Sequence, residues 1–253
     1  MPDKNIDELK KLNAELEKSR AEFEKLSHFK SHLLTFASHQ IKAPLGAIKG
    51  YIQLLEEGHF GEVNDRIKEV FSKIKFAADD LISTIENLID IRKIEEGKMV
   101  YEMKEFDLKT IAEEEFSSLK SIATSKNLEF SFSTEGKVFL VKGDARHLKH
   151  VMQNLIENAL KYTPKGFVKV VLKEDKGNLV FSVADSGIGI SKGVMPLIFE
   201  EFVRDERVTK EIRGSGVGLH VAKSIVEDHG GKIWTFSEGE NRGSTFGFSL
   251  PKK

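Results

Sequence analysis

Two stripes of apolar residues, spaced by three and four, constrain the first third of this chain more than any other feature. Such spacing matches the period of an α-helix with one apolar face. The first stripe breaks at Gly58 and Gly61, and the second begins shortly afterwards. The two stripes are Leu34, Ile41, Leu45, Ile48, Ile52 and Leu55, followed by Ile67, Val70, Ile74, Ala78, Leu81, Ile85 and Leu88. We predict two long helices joined by a short loop, an antiparallel hairpin.

Each helix of this hairpin has a single apolar stripe, so one hairpin cannot shield both stripes from water. Two copies that pair would bury all four stripes in a four-helix bundle. We therefore predict a homodimer formed through the helical hairpin, over residues 30–97.

A weaker heptad pattern precedes the hairpin. Its apolar positions are Leu9, Leu12, Leu16, Phe23, Leu26 and Leu33. Ser19 and Lys30 interrupt this seam. The pattern favours a parallel coiled coil over residues 1–29, and a single amphipathic helix packed on the rest of the protein is the alternative.

The pattern changes after Gly97, where alternating apolar residues indicate strands. The predicted strands cover 127–133, 137–141, 167–174, 178–185, 232–237 and 244–250. Helical patterns lie between them at 107–125, 144–162 and 215–229, and the Gly230 and Gly231 pair caps the last of these. This mixture predicts a two-layer α/β sandwich over 98–253, with helices on one face of a mixed sheet.

The balance of charged residues limits the function classes. Lys and Arg total 39 and Asp and Glu total 40, so no overall positive field favours nucleic acid. There is no cysteine, which excludes disulfides and thiol catalysis. No apolar run is long enough to span a membrane or act as a signal peptide. We expect a cytoplasmic protein, with membrane attachment only through a segment upstream of this sequence.

One histidine lies off the apolar stripe of the first helix. At 100° per residue, His39 is about 200° from Ile41 and about 180° from Ile48, so its side chain should be exposed. Pro44 leaves the carbonyl of Gln40 without its helical partner, which predicts a bend beside this histidine. Most surface histidines have no catalytic role, so position alone is weak evidence that His39 is a nucleophile.

Four polar residues fall on or near one face of the predicted helix over 144–162. They are Asn154, Asn158, Lys161 and Tyr162. Carboxamides facing a core would lack partners, so a polar ligand explains this face better than packing does. Asparagine oxygens also suit Mg²⁺, with Asn158 as the candidate ligand.

Two glycine-containing turns follow in the same domain. Asp185 ends a predicted strand, and Gly187 and Gly189 behind it permit a tight turn and close approach of a ligand. A second group, Gly214, Gly216 and Gly218, opens the helix over 215–229, where free backbone amides can hold an anion. Each turn taken alone could be purely structural.

The segment between these turns, residues 198–213, is charged and lacks periodicity. We expect a mobile lid there, and Arg204 is a candidate for contacting a terminal phosphate. A solvated surface loop is the simpler alternative for any single charge in this segment.

The string FASHQIKAPLGAIKGY around His39 resembles the phosphoacceptor box of bacterial sensor histidine kinases. The resemblance implies that His39 is phosphorylated. Gln40 stands where the family usually has an acidic residue. Its amide can hold the imidazole tautomer but cannot take a proton, so slower transfer is expected. Ala43 replaces the usual Thr or Asn, which implies weak or absent phosphatase activity.

In order and spacing, the polar segments of the second domain resemble the N, G1, F and G2 boxes of the histidine kinase ATP-binding domain. That fold is shared with Hsp90, type II topoisomerases and MutL. The resemblance implies ATP and Mg²⁺ as cofactors, Asn158 as Mg²⁺ ligand and Asp185 as adenine acceptor. It further implies phosphate contacts from Asn154, Lys161 and Arg204, nucleotide packing by Tyr162, and a pocket shaped by Gly187, Gly189, Gly214, Gly216 and Gly218.

The resemblance predicts autophosphorylation of His39 by ATP bound to the second domain. The phosphoryl group would then pass to an aspartate of a response-regulator receiver domain docked on the hairpin below His39. A non-catalytic scaffold is the main alternative, favoured by Gln40 and opposed by the complete set of nucleotide boxes. An ATP-driven clamp like the chaperones would need no His39 helix.

Overall fold

The computed structural model of the chain describes residues 13, 16–20, 37–38, 40–205 and 215–253. His39 and Gly214 lie outside the described residues. Of the predicted coiled coil over 1–29, only residue 13 and residues 16–20 are described, and they are helical, so that prediction is untested. The chain divides into two compact units between Arg92 and Lys93.

The first unit contains an antiparallel helical hairpin, as the apolar stripes predict. The described part of helix α1 runs over 40–56 and continues through Pro44. The loop after α1 includes Gly58 and Gly61, both with positive φ (80° and 110°), which explains why the first stripe stops there. Helix α2 is Asp65–Glu95. Its start is capped by Asn64, whose side-chain oxygen accepts from the amide of Ile67 at 3.0 Å.

Ion pairs fix the register of the two helices. Residues later in α1 pair with residues earlier in α2, as an antiparallel arrangement requires. The pairs are Lys42 with Glu86 (2.8 Å), Lys49 with Asp79, and Glu56 with Lys75 (2.9 Å). Because the three α1 positions are seven residues apart, one side of α1 faces α2 along its described length.

The second unit is built on a five-stranded mixed sheet. Its strands are β2 (Glu129–Glu135), β4 (Phe167–Asp175), β5 (Asn178–Asp185), β6 (Lys232–Phe236) and β7 (Ser244–Pro251). The strand order is β2-β4-β5-β7-β6. Strands β2 and β4 are parallel, and the other neighbours are antiparallel. A separate antiparallel pair joins β1 (Lys104–Asp107) to β3 (Leu140–Gly143).

Three helices form the second layer: α3 (Leu108–Ser125), α4 (Ala145–Tyr162) and α5 (Gly218–Asp228). A 3₁₀ turn, Met195–Leu197, precedes α5. In β5 every second residue is buried, beginning at Leu179 and ending at Asp185, which indicates that one face of the sheet lies against the helices. The predicted two-layer α/β sandwich is confirmed.

Element boundaries differ from the sequence prediction at several places. Strand β3 begins at Leu140 rather than at residue 137, and the carbonyl of Phe139 instead accepts from the amide of Leu108 at 2.9 Å. Helix α5 begins at Gly218 rather than at residue 215. Strand β1 has no counterpart in the prediction, because its sequence KEFD has one apolar residue and no alternation. Among the described helices, none has the length and apolar character needed to cross a membrane.

Candidate nucleotide site

Helix α4 supplies two asparagines side by side at the edge of its buried face. Asn154 and Asn158 are half-buried, and buried positions such as Leu155 and Ala159 flank them. Asn158 donates from Nδ2 to Oδ1 of Asn154 at 2.8 Å. The i, i+4 spacing brings the two carboxamides together on one helix face, as the sequence predicts.

The C-terminal end of α4 is held by residues from two other segments and by its own C-cap residue, Thr163. Helix ends leave carbonyls without partners. Here the carbonyl of Leu160 accepts from Lys126 at 2.7 Å, and the carbonyl of Tyr162 accepts from the amide of Ile188 at 3.2 Å. Thr163 donates its hydroxyl to the carbonyl of Ala159 at 2.7 Å. Burial lowers the pKa of Lys126 below its ordinary value.

The last turn of α4 therefore has a fixed geometry, and it carries two of the predicted site residues. Lys161 lies with Nζ 5.9 Å from the centroid of the Tyr162 ring. This distance is within cation–π range.

Asp185 is a buried carboxylate at the end of β5. Its Oδ1 accepts from the amide of Gly187 at 2.7 Å, and its Oδ2 accepts from the hydroxyl of Ser244 at 2.5 Å. Burial raises the pKa of Asp185 above its ordinary value, and the hydrogen bonds from Ser244 and Gly187 offset only part of that rise. A buried acceptor with spare lone pairs can bind an amino group of a base.

The turn after Asp185 packs too closely against its neighbours to admit side chains. A Cβ on Gly187 would lie 2.4 Å from the carbonyl oxygen of Tyr162. Gly189 has φ +64°, and a Cβ there would lie 2.0 Å from the carbonyl oxygen of Gly239. Both glycines are therefore needed for the chain to pass between α4 and the loop before β7.

The first turn of α5 lies directly against the asparagines of α4. A Cβ on Gly218 would lie 2.3 Å from Nδ2 of Asn154. The N-cap residue Val217 provides no side-chain hydrogen bond to the first turn. The amides of that turn are therefore available to an anion beside the carboxamides.

Arg204 lies near the same helix end. Gly216 has φ +72°, and a Cβ there would lie 3.0 Å both from Cγ of Arg204 and from the carbonyl oxygen of Val203. The segment before the undescribed residues 206–214 thus packs on the glycine turn that leads into α5.

The structure brings most of the predicted site residues of the second unit together. Asn154 meets Gly218, Tyr162 meets Gly187, and Arg204 meets Gly216. His39 and Gly214 are outside the described residues, while Gln40 and Ala43 are exposed positions of the first unit. Sequence reasoning missed three residues that lie against Asp185: Thr163 and Ser244 near its carboxylate, and Gly243 at its backbone carbonyl. The pairing of Asp185 with Ser244 across β5 and β7 is a sheet register, which no local pattern reveals.

Two regions of the chain match known families. Residues 143–253 match the histidine kinase-, DNA gyrase B-, and HSP90-like ATPases, and residues 29–97 match the His Kinase A (phospho-acceptor) domain. The chain belongs to the two-component histidine kinases. Both elements of a histidine kinase catalytic core, the phosphoacceptor hairpin and the ATP-binding fold, are present in this order.

Similarity to individual histidine kinases covers nearly the whole chain. The sensor protein GacS of Pseudomonas syringae pv. syringae is 32% identical over 254 residues, which is 98% of this chain and 28% of that protein. The sensory/regulatory protein RpfC of Xanthomonas campestris pv. campestris is 33% identical over 230 residues, 88% of this chain and 31% of that protein. This chain therefore spans about a third or less of the length of these relatives.

A solved structure of the catalytic domain of the histidine kinase ThkA has the same fold as the second unit. It is 33% identical, with a TM-score of 0.53, and the match covers 60% of this chain and 96% of that one. The likeness supports the assignment of the second unit as a histidine kinase ATP-binding domain.

Proposed function

We propose that this chain is an ATP-dependent protein-histidine kinase that phosphorylates itself on His39 and passes the phosphoryl group to an aspartate of a response regulator. One observation carries the proposal: the carboxamides of α4 and the open first turn of α5 meet at Asn154 and Gly218. This meeting point can bind phosphates, and Asp185, at the end of β5, can bind an adenine amino group.

In the proposed reaction, Nε2 of His39 attacks the γ-phosphorus of ATP. The bond between that phosphorus and the bridging oxygen breaks, ADP leaves, and an N–P bond forms. Catalysis of this kind depends mainly on positioning and on stabilising charge on the phosphoryl oxygens. Lys161 and Arg204 are the proposed cationic groups. Gln40 follows His39 directly and would accept a hydrogen bond from Nδ1, which favours the reactive tautomer.

Mg²⁺ is the proposed metal, and the donor set fits it. Nδ2 of Asn158 points at Asn154, so its side-chain oxygen is the atom that remains to face a ligand. Mg²⁺ in nucleotide sites uses few protein oxygens together with phosphate oxygens and water. When bound, Mg²⁺ would neutralise charge on the phosphates.

We further propose that two chains pair through the hairpin. Five stripe residues are about two-fifths exposed although they are apolar: Ile41, Ile48, Ile67, Ile74 and Leu81. They recur every seven residues within each helix, as the seam of a helical bundle does. A second hairpin would cover them.

The proposed receiver-docking surface is a shallow groove on α1. The groove is lined by Ala47, Gly50, Tyr51, Gln53, Leu54 and Glu57. Tyr51 is 65% exposed, and the small residues beside it leave room for a partner helix. ThkA has been solved in complex with a response regulator, at 26% identity, a TM-score of 0.55 and coverage of 88% of this chain and 61% of that one. Ala43 is exposed and follows His39 by four residues in the sequence. It has no hydrogen-bonding side chain, so we propose weak or absent phosphatase activity.

Incubating the purified chain with γ-labelled ATP and Mg²⁺ tests the proposal. The label should be acid-labile and stable in base, as phosphohistidine is, and His39→Ala should carry none. If the native chain binds nucleotide but takes no label, the kinase proposal fails and a nucleotide-binding scaffold replaces it.

A further inference from the structure

The first turn of α5 contains a histidine that has no role in the nucleotide site described above. Nδ1 of His220 lies 3.1 Å from the carbonyl oxygen of Phe199, and Nε2 lies 3.3 Å from Oε1 of Glu201. His220 is half-buried on the side of α5 that faces the segment over 199–205. We call this segment the arginine segment because it contains Arg204.

The two contacts of His220 differ in kind. The carbonyl oxygen of Phe199 can only accept a hydrogen bond, so Nδ1 donates to it. Nε2 and the Glu201 carboxylate form an ion pair, which requires the imidazolium.

Other charged groups near His220 come from the arginine segment and from α5 itself. Glu200 pairs with Lys223, one turn further along α5, at 3.9 Å. Glu201, Arg204 and Asp205 are the remaining charged groups of the arginine segment.

The far end of the arginine segment is also held. Val203 and Arg204 pack on Gly216, and Oδ2 of Asp205 accepts from the amide of Ser191 at 3.4 Å. His220 therefore fixes the beginning of a short segment whose end carries Arg204.

We infer that His220 is a positioning residue that, in its protonated form, holds the arginine segment on α5 and so sets the place of Arg204 at the γ-phosphate. The inference rests on the proposed kinase function. It predicts that His220 affects the phosphoryl-transfer step through Arg204 and leaves ADP binding unchanged, since ADP has no γ-phosphate.

A double-mutant cycle on the 253-residue chain tests this coupling. His220→Asn can keep the donor to Phe199 but cannot reach Glu201. It should lower the autophosphorylation rate constant at saturating ATP about fivefold, as expected for the loss of one partly exposed ion pair. In the Arg204→Ala background the same change should lower the rate less than about twofold. Ser224→Ala, one turn along the same helix, is the control and should behave as the native chain.

ADP affinity supplies a readout that separates the positioning of Arg204 from general damage to the nucleotide site. Calorimetric titration should give the same ADP affinity for His220→Asn as for the native chain, since ADP has no γ-phosphate for Arg204 to contact.

Equal fold-losses in the native and Arg204→Ala backgrounds would overturn the inference, as would weaker ADP binding by His220→Asn than by the native chain. In either case the native chain still takes label, so the proposed function stands. A native chain that takes no label at any pH contradicts the proposed function and the inference together.

Discussion

Asn158 donates a hydrogen bond from Nδ2 to Oδ1 of Asn154 at 2.8 Å, one turn apart on α4. The bond orients both carboxamides, and Gly218 at the start of α5 lies against Asn154. An orienting bond of this kind places an amide oxygen for a ligand before the ligand arrives, which reduces the ordering cost of binding.

Replacing Asn158 with Ala should abolish labelling by ATP, with a loss of at least about 100-fold, because the proposed metal ligand is removed. The free energy of unfolding should change by less than about 1 kcal/mol, since the side chain is half-buried. Rapid-quench labelling and urea denaturation measure the two effects.

Gln153→Ala is the matched control, because Gln153 makes the equivalent i, i+4 bond to Glu157 at 2.8 Å on the same helix. If both variants label equally well, Asn158 has no special role.

Asp185→Asn should weaken ADP binding without lowering the free energy of unfolding. Burial raises the pKa of Asp185, so the ionised form is costly in the folded state. The amide removes that charge, and its NH₂ can donate to the hydroxyl of Ser244. We expect unfolding free energy that is unchanged or higher at pH 7, with ADP affinity at least about tenfold weaker.

The sign follows from linkage: a carboxyl whose folded pKa is raised contributes stability at low pH and loses it as pH rises through the folded pKa. Calorimetric ADP titration and urea midpoints at pH 5 and 8 test both parts. If Asp185→Asn were less stable than the native chain at pH 8 and bound ADP with unchanged affinity, Asp185 would not be the adenine acceptor.

Ile74→Glu should dissociate the proposed dimer. Ile74 is 41% exposed on the stripe of α2, and a carboxylate in a helical seam has no partner to offset its burial. Sedimentation should show a dimer for the native chain and a monomer for the variant. Phe60→Glu, at a 72% exposed position in the loop, is the control and should remain dimeric.

Stability should fall as pH drops below about 6.5, the ordinary histidine value, partly because of His229. Its Nε2 accepts from the amide of Asp144 at 2.9 Å and its Nδ1 donates to the carbonyl of Ile225 at 2.7 Å, which fixes the neutral ring. Burial lowers the pKa of His229, so the unfolded chain takes the proton first. We expect a loss of roughly 1 kcal/mol between pH 7 and pH 5.

Asp144 does not contribute to this loss. Burial alone would raise the pKa of Asp144, but hydrogen bonds from the amides of Glu102 and His147, together with the His147 ring 3.0 Å away, lower it to about 2. The carboxylate therefore stays ionised from pH 7 to pH 5. Urea midpoints across this range should depend less on pH in His229→Gln than in the native chain, and an unchanged pH slope would rule out His229 as the titrating group.

Much of the fold could be predicted because periodicity is a local signal. The stripes of α1 and α2 and the alternation of β5 reflect which residues face a core, and the structure confirms the hairpin and the sandwich. Strand β1 could not be found, since its pairing with β3 is a long-range contact with little apolar alternation.

The candidate site likewise contains residues that the sequence could predict and residues that it could not. Asn154 and Asn158 could be predicted to lie together because one helix carries both. Ser244 and Lys126 could not, because their contacts with Asp185 and with the carbonyl of Leu160 depend on strand order and on helix packing. The resemblance to histidine kinases named residues but gave no hydrogen-bond partners.

The most direct test of the central claim locates the phosphate within the chain, which has eight histidines. The chain would be incubated with ATP and Mg²⁺, digested at alkaline pH, and its peptides fragmented in a mass spectrometer. The account predicts one phosphate on His39 in the native chain and none in Asn158→Ala. Phosphate on another residue, or on His39 in Asn158→Ala at the native level, would contradict it.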